Sequence, residues 1–263
     1  MGRYLELAVA AAMEAGKFLK INLNRGHSIT YKGEINIVTD KDRKSEEMIA
    51  GRISREFPGH DIISEESAFR QKGSGYRWII DPLDGTTNYA HGYPVFCVSI
   101  ALQHREGIIT GCIYNPMLDE LFTAEAGSGA FLNGERIHVS SVRDFSRSFL
   151  ATGFPYDLRT DPDNNINYFT ALAKRTLAIR RAGSAALDLA YTAAGRFDGF
   201  WELKLMPWDT AAGWLLVTEA GGVVTDLYGG PYGLRSPHIL AGNGLINGEM
   251  LHVIAETDPL DIP

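Results

Sequence analysis

The chain has 263 residues, 45% of them hydrophobic and 22% charged, ordinary values for a globular enzyme. Its formal net charge of −7, from Asp+Glu 32 against Lys+Arg 25, disfavours direct nucleic-acid binding, which needs a basic face to displace counterions. That balance suits a protein that gathers carboxylates around cations, although surplus surface Glu would give the same total.

The first twenty residues carry Glu6 and Glu14 among apolar positions at helical spacing, which reads as a helix and not as a signal peptide. Leu5, Ala8, Val9, Ala12, Phe18 and Leu19 mark its inner face. Residues 26–36 are polar and read as a loop or hairpin. A second helix follows Asp40, with Met48, Ile49, Ile53 and Phe57 inward, and ends at Pro58-Gly59. A short strand over 61–64 precedes a polar connection through Gly73 and Gly75. Strands are then expected over 78–80, 95–102, 108–114, 120–124, 130–132 and 136–139, alternating between Gly-marked turns as in a largely antiparallel sheet. The second half mixes helices over 165–176, 184–194, 209–220 and 248–255 with strands over 177–181, 197–202, 223–226 and 239–242. With no repeat or linker, the expectation is one domain over 1–263, with α+β and α/β subregions of about 1–145 and 146–263. Cys97 and Cys112 lie in apolar runs without zinc or disulfide spacing, so both read as buried thiols in a reducing compartment. No apolar run reaches membrane-span length, and the expected location is the cytoplasm, with no membrane partner.

The densest chemistry lies in Trp78-Ile-Ile-Asp81-Pro82-Leu83-Asp84-Gly85-Thr86-Thr87-Asn88. A β-like run delivers Asp81, and Pro82 interrupts the ladder just after it. Asp81 and Asp84, three apart around a turn, can aim their carboxylates at one point, with the Leu83 carbonyl between them. Hard oxygen donors of this kind suit Mg²⁺ better than zinc or copper. Gly85-Thr86-Thr87 then opens a helix with free N–H groups for a phosphate. Asp-Pro and Asp-Gly are also ordinary turn pairs, so this segment alone leaves both readings open. Glu65-Glu66 at the end of a strand, Asp209 at the start of an apolar helix, and Asp42 near a helix start are each read, singly, as surface charge or helix caps.

Together these segments resemble the inositol monophosphatase family. The run from Asp81 to Asn88 is similar to the family's first signature, and that from Trp208 through Gly222 to its second. Ser64-Glu65-Glu66-Ser67 and the stretch from Asn36 to Asp42 resemble its metal-binding Glu and Asp segments. The four motifs occur in the family's order over almost the whole chain. The resemblance implies a layered αβαβα sandwich of α+β class, the sugar-phosphatase type. It implies a first Mg²⁺ held by Glu65, Asp81 and the Leu83 carbonyl, and a second by Asp81, Asp84 and Asp209. Glu65 would also reach a weaker third site through water, so two or three ions are expected. Asp42 and Thr86 would orient and activate the attacking water, with Glu65 counted among the catalytic groups. Substrate contacts would come from Asp84, Gly85, Thr86, Gly183, Ser184, Ala185, Glu202 and Asp209, and Lys32 would lie on a covering loop. Asn36 stands where the family more often has Asp, which keeps the hydrogen-bonding shape but removes a charge that would attract a third metal. Of two nearby acids, the offset to Glu46 and Glu65 favours Asp42 as the catalytic one, leaving Asp40 as the helix cap.

The expected activity is Mg²⁺-dependent hydrolysis of inositol monophosphate or a related polyol or sugar phosphate by direct attack of metal-activated water. An aspartyl-phosphate mechanism is disfavoured because its usual Asp-x-Asp spacing is replaced here by three residues with Pro inserted. Fructose 1,6-bisphosphate stays open as an alternative substrate. So does a different class of function, binding to proteins of the RNA polymerase machinery. The resemblance also implies a homodimer and lithium sensitivity.

Overall fold

The computed structural model describes residues 2–26, 28–31, 36–67 and 72–257. Helix α1 (Arg3–Asn22) is followed by a small hairpin, β1 (Ile29–Tyr31) with β2 (Ile37–Thr39), and by α2 (Asp40–Glu56). Next come β3 (Asp61–Ser64), β4 (Tyr76–Asp84), the short helix α3 (Thr86–Ala90), β5 (Cys97–His104), β6 (Gly107–Asn115), β7 (Glu120–Glu125), β8 (Gly129–Leu132) and β9 (Glu135–Ile137). The second half runs β10 (Phe149–Thr152), α4 (Ile166–Ala173), β11 (Ala178–Arg180), α5 (Ala185–Ala193), β12 (Gly199–Leu203), α6 (Pro207–Glu219), β13 (Val223–Thr225), β14 (His238–Gly242) and α7 (Asn247–Glu256).

Strands β3 to β9 form a seven-stranded sheet in chain order, antiparallel except for the parallel β3–β4 pair. The five-stranded sheet has the order β11-β10-β12-β14-β13, with β10 parallel to both of its neighbours. Three apolar clusters glue the layers. Leu5, Ala8, Ala12 and Leu19 of α1 and Ile49 and Ile53 of α2 meet Trp78, Ile80, Val98 and Ile100 on one face of the large sheet. Ile79, Ala101, Ile113 and Phe122 on its other face meet Leu187, Leu189, Ala212 and Leu216 of α5 and α6, which also cover Phe200 and Ile239 of the small sheet. Met250, Val253 and Ile254 of α7, with Leu172 of α4, close the far side over Leu150, Trp201 and Leu240. The result is helix, sheet, helix, sheet, helix. The seven- and five-stranded sheets are each covered on both faces, which accounts for the near-continuous apolar runs in their central strands.

Several local expectations change. Strand β10 was not anticipated, because its four residues follow a polar stretch and give too few positions for an alternation to register. Helix α6 begins at Pro207, a residue preadapted to the first helical position, so Asp209 is its third residue and not its cap. Asp40 is also not a cap. Thr39 is, with its hydroxyl accepting from Lys41 N at 3.1 Å while Asp42 reaches back to Thr39 N at 2.8 Å. Both cysteines are buried and unpaired with each other, as expected.

Candidate active site

Strand periodicity places the first carboxylate. Side chains alternate faces along β4, so Trp78 and Ile80 enter the α1/α2 cluster while Ile79 and, two residues on, Asp81 turn toward α5 and α6. At Pro82 the regular ladder fails. Asp81 pairs with Ser99 and Asp84 with Cys97, so the strand bulges between them. The bulge sends Leu83 back into the α1/α2 cluster and returns Asp84 to the side of Asp81. Gly85 then turns the chain with φ of 97°, where a Cβ would come within 2.8 Å of the Val95 carbonyl, so glycine is required both by conformation and by space.

The carboxylates that converge are held by protein donors. Asp81 Oδ1 accepts from Leu83 N at 3.0 Å. Asp84 Oδ2 accepts from Ser184 Oγ at 2.6 Å and Ala186 N at 2.8 Å, joining the signature turn to the start of α5. Asp209 Oδ2 accepts from Met206 N at 2.7 Å. Asn88 ties the same two segments together, donating to the carbonyls of Val95 at 2.7 Å and Ala182 at 2.8 Å. Glu65 is presented by the turn after β3. Buried Glu46 holds that turn, accepting from Ser64 Oγ, Ser67 Oγ and Glu66 N. Asp42 Oδ1 accepts from Thr86 Oγ1 at 2.8 Å, while its Oδ2 is bonded to Thr39, so the expected Asp42–Thr86 pair is formed and fully buried on the Asp side.

Asn36, Glu65, Asp81, Leu83, Asp84, Gly85, Thr86, Gly183, Ser184, Ala185, Glu202 and Asp209 line one open cavity of about 570 Å³. Asp42 stands behind its wall and acts on it through Thr86. Lys32 lies outside the described residues.

Burial and mutual repulsion act together on the converging carboxylates. Burial, followed by the charges of Glu65, Asp84 and Asp209, pushes the Asp81 carboxyl well above the usual range. Asp209 is raised by burial and by Asp84. Glu202 is raised by burial and then by Asp209 and Asp84, with Arg181 opposing. Burial also raises Asp42 against the lowering effect of its threonine hydrogen bonds. Such a cluster repels itself unless protons or cations enter it. Its donors are all hard oxygens, which fits divalent Mg²⁺ and not a thiolate- or imidazole-seeking metal. Among the described residues no three His, Cys, Asp or Glu side chains are already arranged as a finished ligand group, the carboxylates being turned in part to the protein donors named above.

Sequence reasoning missed five residues that this geometry brings in. Glu46 and Ser45 extend the inward stripe of α2 from Ile49 and Ile53, so polar residues continuing an apolar stripe were the available signal. Gly153 and Tyr156 follow the missed strand β10 and line the cavity. Asp188 is the one charged residue of α5.

Gly153 has a specific reason to be glycine, because a Cβ there would fall inside the Glu202 carboxylate. Gly153→Ala is expected to displace Glu202 and raise KM about tenfold or more, with a smaller change in kcat, in steady-state assays of phosphate release.

A layered fold and an acidic cavity of this design define a class. The chain belongs to the inositol monophosphatase family, whose family model matches residues 2–258, and it is a phosphatase of that family. Inositol monophosphatase of Dictyostelium discoideum is 43% identical over 97% of this chain and 96% of its own length. Nus factor SuhB of Escherichia coli K12 is 44% identical over 94% of each chain. The crystal structure of extragenic suppressor protein suhB from Bartonella henselae superposes with a TM-score of 0.93 at 43% identity, covering 97% of this chain and 99% of that one. The relatives' names thus divide between inositol monophosphatase and SuhB. No helix among the described residues is long and apolar enough to cross a membrane.

Proposed function

We propose that the protein is a Mg²⁺-dependent phosphomonoesterase that hydrolyses inositol 1-phosphate or a close polyol phosphate with water as the nucleophile. The observation that carries this reading is the meeting of Glu65, Asp81, Asp84 and Asp209 on one cavity beside the Asp42–Thr86 pair.

Glu65, Asp81, Asp84, Asp209 and the Leu83 carbonyl would hold two ions, with Glu65 also contributing to any third. Bound there, divalent ions would neutralise phosphoryl oxygens and lower the pKa of a water. Thr86 Oγ1 donates to Asp42, so its lone pairs would accept a hydrogen bond from that water, and the proton the water loses would pass through the hydroxyl to the Asp42 carboxylate. The Gly85 and Thr86 amides are assigned to the phosphate, and Glu202 with residues 183–185 to the polyol. Asp81 Oδ1 and Asp84 Oδ2 are each already tied to a backbone amide. That bonding suits a fixed ligand better than a nucleophilic carboxylate, and with the Asp-x-x-Asp spacing it disfavours an aspartyl-phosphate route. Thr86→Val is expected to lower kcat about 100-fold with KM little changed, and Thr86→Ser to retain most of the rate. Family membership supports a cytoplasmic homodimer inhibited by lithium.

The test is a phosphate-release panel over inositol 1-phosphate, fructose 1,6-bisphosphate, histidinol phosphate and adenosine 3′,5′-bisphosphate, with and without Mg²⁺. Highest kcat/KM on inositol 1-phosphate, abolished by chelator, is the expected result. Equal turnover in chelator would defeat the metal reading, and preference for a bisphosphate the substrate reading. A second role is favoured by the 44% identity to proteins named Nus factor SuhB. If the chain shares it, binding to RNA polymerase components persists in Asp84→Asn.

A further inference from the structure

Asp188 has no place in the reaction as described so far, yet its setting is unusual. It is 2% exposed and sits in the first turn of an otherwise apolar helix, α5. Its backbone N–H bonds Ser184 O at 3.0 Å, so the helix is formed there without help from the side chain. Its Oδ1 is buried and has no hydrogen-bond partner among the described residues. The residue nevertheless lines the same cavity as Glu202 and Asp84. Burial and the charges of Glu202 and Asp84 raise its pKa well above the usual range, opposed by Arg181. No ion pair joins Arg181 to it among the described residues, so the guanidinium acts at longer range.

A buried carboxylate oxygen with no donor is costly, and helices that need only packing do not place one in a cavity wall. Core packing alone would be served by Leu or Met at this position, flanked as it is by Leu187 and Leu189. Capping is also no explanation, since the side chain accepts no backbone N–H. What remains is a donor that arrives with the occupant of the cavity. In the proposed reaction the occupant's uncommitted donors are hydroxyl groups.

We propose that Asp188 is a specificity-determining residue whose carboxyl takes a ring hydroxyl of the substrate beside the one taken by Glu202. The site therefore selects phosphate esters whose alcohol carries at least two free hydroxyls. The inference rests on the phosphatase reading of the cavity and deepens it by fixing the substrate class through a residue outside the metal-facing set.

The experiment compares the Mg²⁺-loaded full chain with Asp188→Leu and the near-isosteric Asp188→Asn. Each is assayed on inositol 1-phosphate and on p-nitrophenyl phosphate, whose leaving group has no free hydroxyl. The readout is the ratio of the two kcat/KM values. The ratio is expected to fall about 10- to 100-fold in Asp188→Leu, mainly through KM for inositol phosphate, and less in Asp188→Asn, whose amide oxygen still accepts. An unchanged ratio in either folded variant, whether both rates persist or both fall together, would overturn the proposal. Wild-type protein that hydrolyses neither ester would instead overturn the phosphatase reading itself. Should Asp188→Leu fail to fold, the Asn variant carries the decision.

Discussion

Asp84→Asn is expected to cripple turnover while making the metal-free protein more stable. Asp84 lies at the centre of the repulsion, since its charge acts on Asp81, Asp188, Glu202 and Asp209. Its Oδ2 accepts from Ser184 and Ala186, and an asparagine oxygen can keep both bonds. Removing the charge relieves a buried carboxylate and four unfavourable neighbours at once, a gain of about 1–2 kcal/mol. For a chain of this size that raises Tm by a few degrees. On the proposed metal-dependent mechanism the same change would remove a ligand and a share of the phosphoryl-charge neutralisation worth several kcal/mol, so kcat/KM should fall on the order of 10³-fold. Calorimetry in chelator and phosphate release in Mg²⁺ read the two effects. A residue kept for structure would lose stability when substituted, so opposite signs mark a site maintained for function.

The dependence of stability on pH and Mg²⁺ should show the same conflict across the whole cluster. Asp42, Asp81, Asp84, Asp209, Asp188 and Glu202 are all raised in the folded state, chiefly by burial. Between their unfolded values, 3.8 for Asp and 4.5 for Glu, and their raised folded values, the native state binds more protons than the unfolded state. Stability therefore falls as pH rises through that window. Asp40, Asp144, Asp161 and the His60 imidazole shift the opposite way, but the three acids lie at the surface and contribute little, and His60 is one group against six. The metal-free protein should melt higher near pH 5.5 than near pH 7.5. Mg²⁺ at about 100 times its Kd should add about 2.7 kcal/mol at pH 7.5, a Tm rise of about 5–10 °C. At pH 5.5 the rise should be smaller, because protons and cations compete for the same oxygens. Scanning calorimetry over a grid of pH and Mg²⁺ measures it. A Tm that climbs with pH in chelator would contradict the account.

The fold class was legible in the sequence through the family resemblance, and part of the candidate site through local spacing. Asp81 and Asp84 were legible as a candidate pair because three-residue spacing around a turn can aim two carboxylates at one point, whereas Glu65, Asp209 and Thr86 were joined to them only by the family resemblance. The family resemblance then supplied the order of the layers. What escaped was tertiary. Strand β10 is short and stands out only when β11 and β12 pair on either side of it. The close approach of Gly153 to Glu202 joins residues 49 apart and leaves no periodic trace. Glu46 read as one more charge on a polar helix, and only folding shows it buried against the turn that carries Glu65. Asp40 and Asp42 were separated correctly as to which pairs with Thr86, but capping went to Thr39. A hydroxyl immediately before an acid competes for the same N–H groups, and propensity alone does not rank the two.

The most direct measurement is anomalous diffraction from crystals of the protein soaked in Mn²⁺ as a stand-in for Mg²⁺. Ions should appear in the cavity with oxygens of Asp81, Asp84, Asp209 and Glu65 at about 2.1 Å. A cavity without anomalous density at saturating Mn²⁺, its carboxylates still turned to Leu83, Ser184 and Met206, would contradict the account.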